Sequence, residues 1–117
     1  MHILSIIELM DLTAQKCVPC EGDAKPMKRS DFEGHLDKVP QWGVVDDTLI
    51  TRTFKFKDFK EAVKFVNNVA ELAESEGHHP DIALHNWNKV TITLFTHAIK
   101  GLSLNDFIVA SKIDTLK

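Results

Sequence analysis

At 117 residues the chain fits one domain and is too short for two separate cores. Its 44% apolar and 26% charged residues are ordinary for a globular protein, which excludes a disordered tail. The net charge is −3 and the densest basic group is only Lys25, Lys28 and Arg29, so no cationic stripe exists for a phosphate backbone and direct nucleic-acid binding is disfavoured.

The first apolar run, Met1 to Ile7, stops at Glu8 and lacks the basic flank, length and cleavage site of a secretory signal. No stretch approaches the ~20 apolar residues of a membrane span, so a cytoplasmic location is expected. Met10 is an alternative start. Residues 1–30 read as an irregular arm punctuated by Pro19, Gly22 and Pro26, and residues 31–117 as a single α+β domain. The arm holds both cysteines, Cys17 and Cys20. Two cysteines make no disulfide framework, and no further pair of ligands follows at zinc-knuckle spacing, so they read as reduced thiols.

Ser30 or Asp31 can cap a short helix running to about Val39, where Pro40 ends it. Trp42 to Val45 and Leu49 to Phe56 then read as strands around an Asp46-Asp47-Thr48 turn. Asp58, with Glu61 three residues on, opens the clearest helix. Its apolar stripe is Phe59, Ala62, Val63, Val66, Val69, Ala70 and Ala73, and Gly77 supplies the stop. A second hairpin follows, Ile82 to Trp87 and Val90 to His97, with Asn88-Lys89 as the turn. Gly101 breaks the pattern and Ser103 begins a last helix through about Ile113. The order α-β-β-α-β-β-α predicts an α+β fold with a four-stranded antiparallel sheet and three helices on one face. A small sheet leaves edges exposed, so a homo-oligomer that covers one is expected.

Three of the six histidines converge on this plan. His78 and His79 follow the helix stop, and a two-residue turn would set His97 opposite Pro80. Glu74, four residues before His78, can reach an imidazole. Imidazole titrates near neutrality, at about 6.5, so such a cluster suits a reaction that both donates and accepts a proton. No Gly-rich phosphate loop or dinucleotide fingerprint is present. Each residue also has a plainer reading. The His pair can be loop polarity, His97 a strand-end residue, and the three imidazoles together a divalent-metal site. Trp42 and Trp87 read as packing, Asp106 as the cap partner of Ser103, and His2, His35 and His85 as surface or packing residues.

The segment Glu74-Ser-Glu-Gly-His78-His79-Pro80-Asp81, with Trp87, His97 and Asp106 after it, resembles the signature of the pterin-4a-carbinolamine dehydratase family. The likeness extends to Cys17-Val-Pro-Cys20, Trp42, Phe54-Lys-Phe-Lys-Asp-Phe59 and Thr96-His97 through Gly101-Leu-Ser103, covering about residues 12–117. It implies the same fold, in dimers or tetramers. It implies a hydro-lyase without cofactor that dehydrates 4a-hydroxytetrahydropterin to quinonoid dihydropterin, recycling the pterin of aromatic amino acid hydroxylases. On this resemblance His78, His79 and His97 are the active-site histidines, and Glu74, Trp42, Asp106 and Pro80 line or support the pterin pocket. The acidic residue that some relatives carry just before the His pair is Gly77 here, so its role does not transfer. The family also includes transcription-factor partners and degenerate assembly factors, which leaves a protein-binding role as the alternative.

Overall fold

The computed structural model describes residues 11–18 and 25–117. Expectations for His2, Met10, Pro19, Cys20 and Gly22 lie outside the described residues. The described part of the arm begins with a 3-10 turn, Leu12–Ala14, whose preceding Asp11 accepts a hydrogen bond from Thr13 N–H at 3.0 Å. Leu12 is buried in the common core, so the arm is packed against the domain.

Helix α1 spans Arg29–Leu36. It starts one residue before the expected cap. Lys28 is the capping position, and Asp31 sits inside the first turn, accepting from Lys28 N–H at 2.9 Å. A carboxylate there satisfies an orphan donor and favours the positive end of the helix dipole. The helix proper ends at Leu36, and looser turn bonds carry the chain to Val39.

Strands β1 (Gly43–Val45) and β2 (Leu49–Lys55) form the first hairpin. Asp46 and Asp47 both take positive φ, 51° and 57°, which lets a tight turn match the strand twist. Helix α2, Phe59–Glu76, is opened by Asp58 Oδ1 accepting from Glu61 N–H at 2.8 Å. Gly77, at φ 66°, closes it in the left-handed conformation that glycine adopts without penalty. Its buried face is Ala62, Phe65, Val69 and Ala73, rotated from the expected stripe. Phe59 is exposed, and Phe65 lies between the rings of Phe54 and Phe56 at 4.7 and 4.9 Å.

Strands β3 (Asp81–His85) and β4 (Lys89–Leu94) make the second hairpin, and helix α3 spans Leu104–Asp114. The sheet is antiparallel in the order β1-β2-β4-β3. Ile50, Phe54, Val90, Ile92 and Leu94 point to the covered face, where α2 and α3 supply Ala62, Phe65, Val69, Phe107 and Ile108. The opposite face carries a threonine patch, with Thr51 against Thr93 at 3.3 Å and Thr53 against Thr91 at 2.8 Å. A period-two strand pattern with one apolar face thus meets helices on one side only.

The second hairpin turns earlier than its sequence predicts. His85 pairs with Lys89, and the turn is Asn86-Trp87-Asn88. Asn86 and Trp87 adopt φ of 50° and 57°. Trp87 is therefore at the turn tip, 60% exposed, and does not face Val90. Asn88 stabilises the turn by extending the β2 ladder: its amide donates to Phe56 C=O at 2.9 Å, and Phe56 N–H donates to its carbonyl at 2.8 Å.

Candidate active site

Two backbone breaks bring the histidines together. At the end of α2, Gly77 turns the chain out of the helical path and delivers His78, His79 and Pro80 to the start of β3. After β4, the chain leaves the sheet at Phe95, and residues Thr96 to Gly101 form a closed loop. Thr96 N–H donates to Gly101 C=O at 2.8 Å, and Lys100 closes the loop with φ 56°. His97 opens the 3-10 turn of that loop. Its ring lies 4.0 Å from the Phe95 ring, centroid to centroid. His78, His79, Pro80, Phe95 and His97 all line one cavity of about 380 Å³. The convergence stands, although the hairpin register differs from the one expected. Continued outward, the observed pairing of Asp81 with Thr93 would have set His97 by Gly77, not Pro80.

The carboxylates divide between the two adjacent imidazoles. Asp106 is fully buried and lies 2.7 Å from His78 Nε2 through Oδ1. Its other oxygen accepts from Ser103 N–H at 2.9 Å and from the Thr96 hydroxyl at 2.8 Å. Thr96 has one hydroxyl proton and gives it to Asp106, so Ser103 Oγ is the donor across their 2.7 Å contact. The Asp106 carboxylate accepts, so the His78 proton on this side sits on Nε2 and Nδ1 lies outside the pair. Glu74 reaches His79, not His78: Oε2 lies 2.6 Å from His79 Nε2. That pair is solvent-exposed and contributes little to stability.

Trp42 is not brought to the histidines. It is buried against Phe54, and its indole N–H donates to Asp114 Oδ1 at 2.8 Å. Arg52 shares that oxygen at 2.7 Å and stacks over Phe54, so Trp42 fastens the end of α3 to the sheet. His85 bonds Thr91 Oγ1 at 2.8 Å on the open sheet face, and His35 packs on Phe107. Among the described residues, no three of His, Cys, Asp and Glu are grouped to hold a metal ion.

Phe95, Val18 and Asn105 also line the cavity, and sequence reasoning assigns none of them a site role, Val18 entering only within the Cys17-Val-Pro-Cys20 likeness. Only Phe95 gave a signal, an aromatic two residues before His97. Cys17, beside Val18, has its thiol pushed up to about 12 by burial and by the neighbouring Glu76. It is a neutral packing group at physiological pH, not a nucleophile. Glu76 is held below its ordinary value: burial works against this, but the bonds from Lys112 and Cys17 N–H prevail.

Fold and site together define a class, a small α+β protein with a histidine-lined cavity where a helix stop meets the end of a hairpin. The chain belongs to the pterin 4 alpha carbinolamine dehydratase family, whose profile matches residues 25–116. Relatives carrying the family name occur in Rubrobacter xylanophilus, 44% identical over 92% of this chain and 100% of that protein. One in Chlorobaculum tepidum is 46% identical over 92% of this chain and 99% of that protein. The Arabidopsis thaliana protein named pterin-4-alpha-carbinolamine dehydratase 2, mitochondrial, is 45% identical over 93% of this chain and 60% of its own length. A solved transcriptional coactivator/pterin dehydratase from Brucella melitensis superposes with a TM-score of 0.72 at 34% identity, covering 79% of this chain and 98% of that one. No helix among the described residues is long and apolar enough to cross a membrane.

Proposed function

We propose that the protein dehydrates 4a-hydroxytetrahydropterin to quinonoid dihydropterin. The observation that carries the reading is the buried Asp106–His78 pair, whose imidazole lines a cavity shared with His79 and His97. Family membership supplies the substrate class.

The reaction breaks the C4a–O bond and removes a proton from N5. Hydroxide leaves poorly, so the departing oxygen must be protonated as the bond breaks, while the N5 electron pair forms the C4a=N5 double bond. His78, with Nε2–H committed to Asp106, presents Nδ1 to take the N5 proton. His97 gives its proton to the leaving hydroxyl, which departs as water. His79, tied to Glu74 at the rim, binds substrate. Net proton change on the enzyme is zero, and the two imidazoles are reset by exchange with each other or with solvent. The biological task is recycling of the pterin spent by aromatic amino acid hydroxylases.

The test follows freshly generated 4a-hydroxytetrahydropterin by absorbance with wild type and with a His78→Ala, His97→Ala double variant. Acceleration by wild type and its loss in the double variant support the reading. Decay at the spontaneous rate with folded wild type would falsify it and favour a protein-binding role like that in the name of the Brucella relative. The protein acts as a homodimer or homotetramer, for which the exposed edges of β1 and β3 offer surfaces. A single monomeric mass in light scattering would overturn that assignment.

A further inference from the structure

The cavity has one wall that does not come from the domain. Val18 lines it from the N-terminal arm, ahead of the profile match that begins at residue 25. Val18 is 65% exposed, so burial does not hold it there. Three directed bonds do. Val18 N–H donates to Asn105 Oδ1 at 3.0 Å, and Asn105 Nδ2 donates to Val18 C=O at 2.5 Å. A primary amide thereby grips both polar groups of one peptide residue, as a neighbouring strand would. One residue earlier, Cys17 N–H donates to Glu76 Oε1 at 3.0 Å, and Lys112 holds the other Glu76 oxygen at 2.6 Å. The Glu76 side chain is 4% exposed, so this anchor is a buried carboxylate paired with Lys112.

We infer that Val18 is a substrate-contacting wall of the pocket, fixed in place by the Asn105 amide clamp and the Glu76–Lys112 anchor. This inference rests on the dehydratase reading. Ordering an exposed strand of arm costs conformational entropy and gains no core burial at Val18 itself. The bonds offset that cost where an apolar side chain borders a cavity also lined by three imidazoles. A flat heterocycle needs polar partners at its edge and apolar contact on its faces. His78, His79 and His97 supply the first, and Val18, with Phe95, supplies the second. An alkyl side chain takes no part in the proton transfers, so its contact is the same for the bound substrate and the transition state. Such uniform binding lowers KM without changing kcat.

The test compares wild type with Val18→Gly, Val18→Ile and Asn105→Leu in the dehydration assay, each checked for native circular dichroism. Removing the exposed Val18 side chain carries no core penalty, so Val18→Gly remains informative if Asn105→Leu fails to fold. Val18→Gly is expected to raise KM roughly three- to tenfold, the effect of losing contact with one or two methyl groups, at unchanged kcat. Val18→Ile keeps the wall and holds KM near wild type, while Asn105→Leu reproduces the KM rise with the valine still present. An active wild type whose KM is unmoved in Val18→Gly overturns the wall, and a KM moved equally by Val18→Ile and Val18→Gly does so too. Inactive wild type sinks the dehydratase reading itself, and the wall with it.

Discussion

His78 Nε2 and Asp106 Oδ1 are 2.7 Å apart, and Asp106 is at the same time the carboxylate that caps α3 through Ser103 N–H. One buried group therefore serves the start of a helix and the orientation of an imidazole. Thr96, at the mouth of the His97 loop, bonds the same carboxylate, so the supports of His78 and His97 meet at Asp106.

Asp106→Asn keeps the shape but brings an N–H₂ group to this point. If that amide faces His78, Nε2 must become the acceptor and the proton moves to Nδ1, the wrong tautomer for a base. A kcat loss of roughly 10²-fold or more is expected, with little change in KM. Steady-state kinetics on the folded variant decides it. A kcat within a few-fold of wild type would show that His78 is not used in the proposed way.

Thr96→Val exchanges a hydroxyl for a methyl at nearly constant volume. Asp106 loses one donor, and the Ser103 hydroxyl loses its acceptor. Because Asp106 and Thr96 are buried, unfolding free energy should fall by about 1–3 kcal/mol. Urea denaturation measures this directly, and an unchanged midpoint would mean that water replaces the lost donor.

The ends of the elements show what was legible in the sequence. Asp58, Gly77 and Ser103 each act through their own backbone neighbourhood, and each occupies the cap position its residue type favours. Glu74 does reach an imidazole, as its place in the last turn of the helix predicts, and the helix stop decides which one. Glu74 to His78 is four residues, which on a continued helix would place them together. Gly77 leaves the helix first, so Glu74 meets His79. In the second hairpin the expected Asn88-Lys89 turn is not the one formed: the chain turns at Asn86-Trp87-Asn88, with Trp87 at a positive φ that tryptophan rarely takes. The roles of Val18 and Asn105 depend on a contact across 87 positions of sequence, for which no local pattern exists.

Two glycines make opposite predictions. A Cβ at Gly101 would lie 2.5 Å from Pro26 Cβ, inside contact distance, where Met27 N–H also pins the arm to Leu102 C=O. Gly101→Ala must push the Pro26 segment off the His97 loop, at a cost of about 1–3 kcal/mol. Gly34 sits within α1 with open space around it. Gly34→Ala should stabilise by roughly 0.5–1 kcal/mol, since it restricts only the unfolded chain. Thermal melts of both variants beside wild type should bracket it from below and above.

His35 gives the fold a pH dependence separate from the active site. Its ring packs on Phe107, 5.5 Å between centroids, and burial, then the charge of Lys38, lowers its affinity for a proton. Above about pH 6.5 the imidazole is neutral in both folded and unfolded chains and has no effect on stability. As pH falls through that value, the unfolded chain takes up a proton that the folded one resists. Stability should therefore decline until the lower, folded value is passed, and level off below it. His35→Gln cannot titrate. Its melting temperature should fall less than that of wild type between about pH 7.5 and 5.5, because the remaining histidines are common to both. Parallel slopes in the two proteins would mean that His35 is free to charge in the folded state, against the packing seen here.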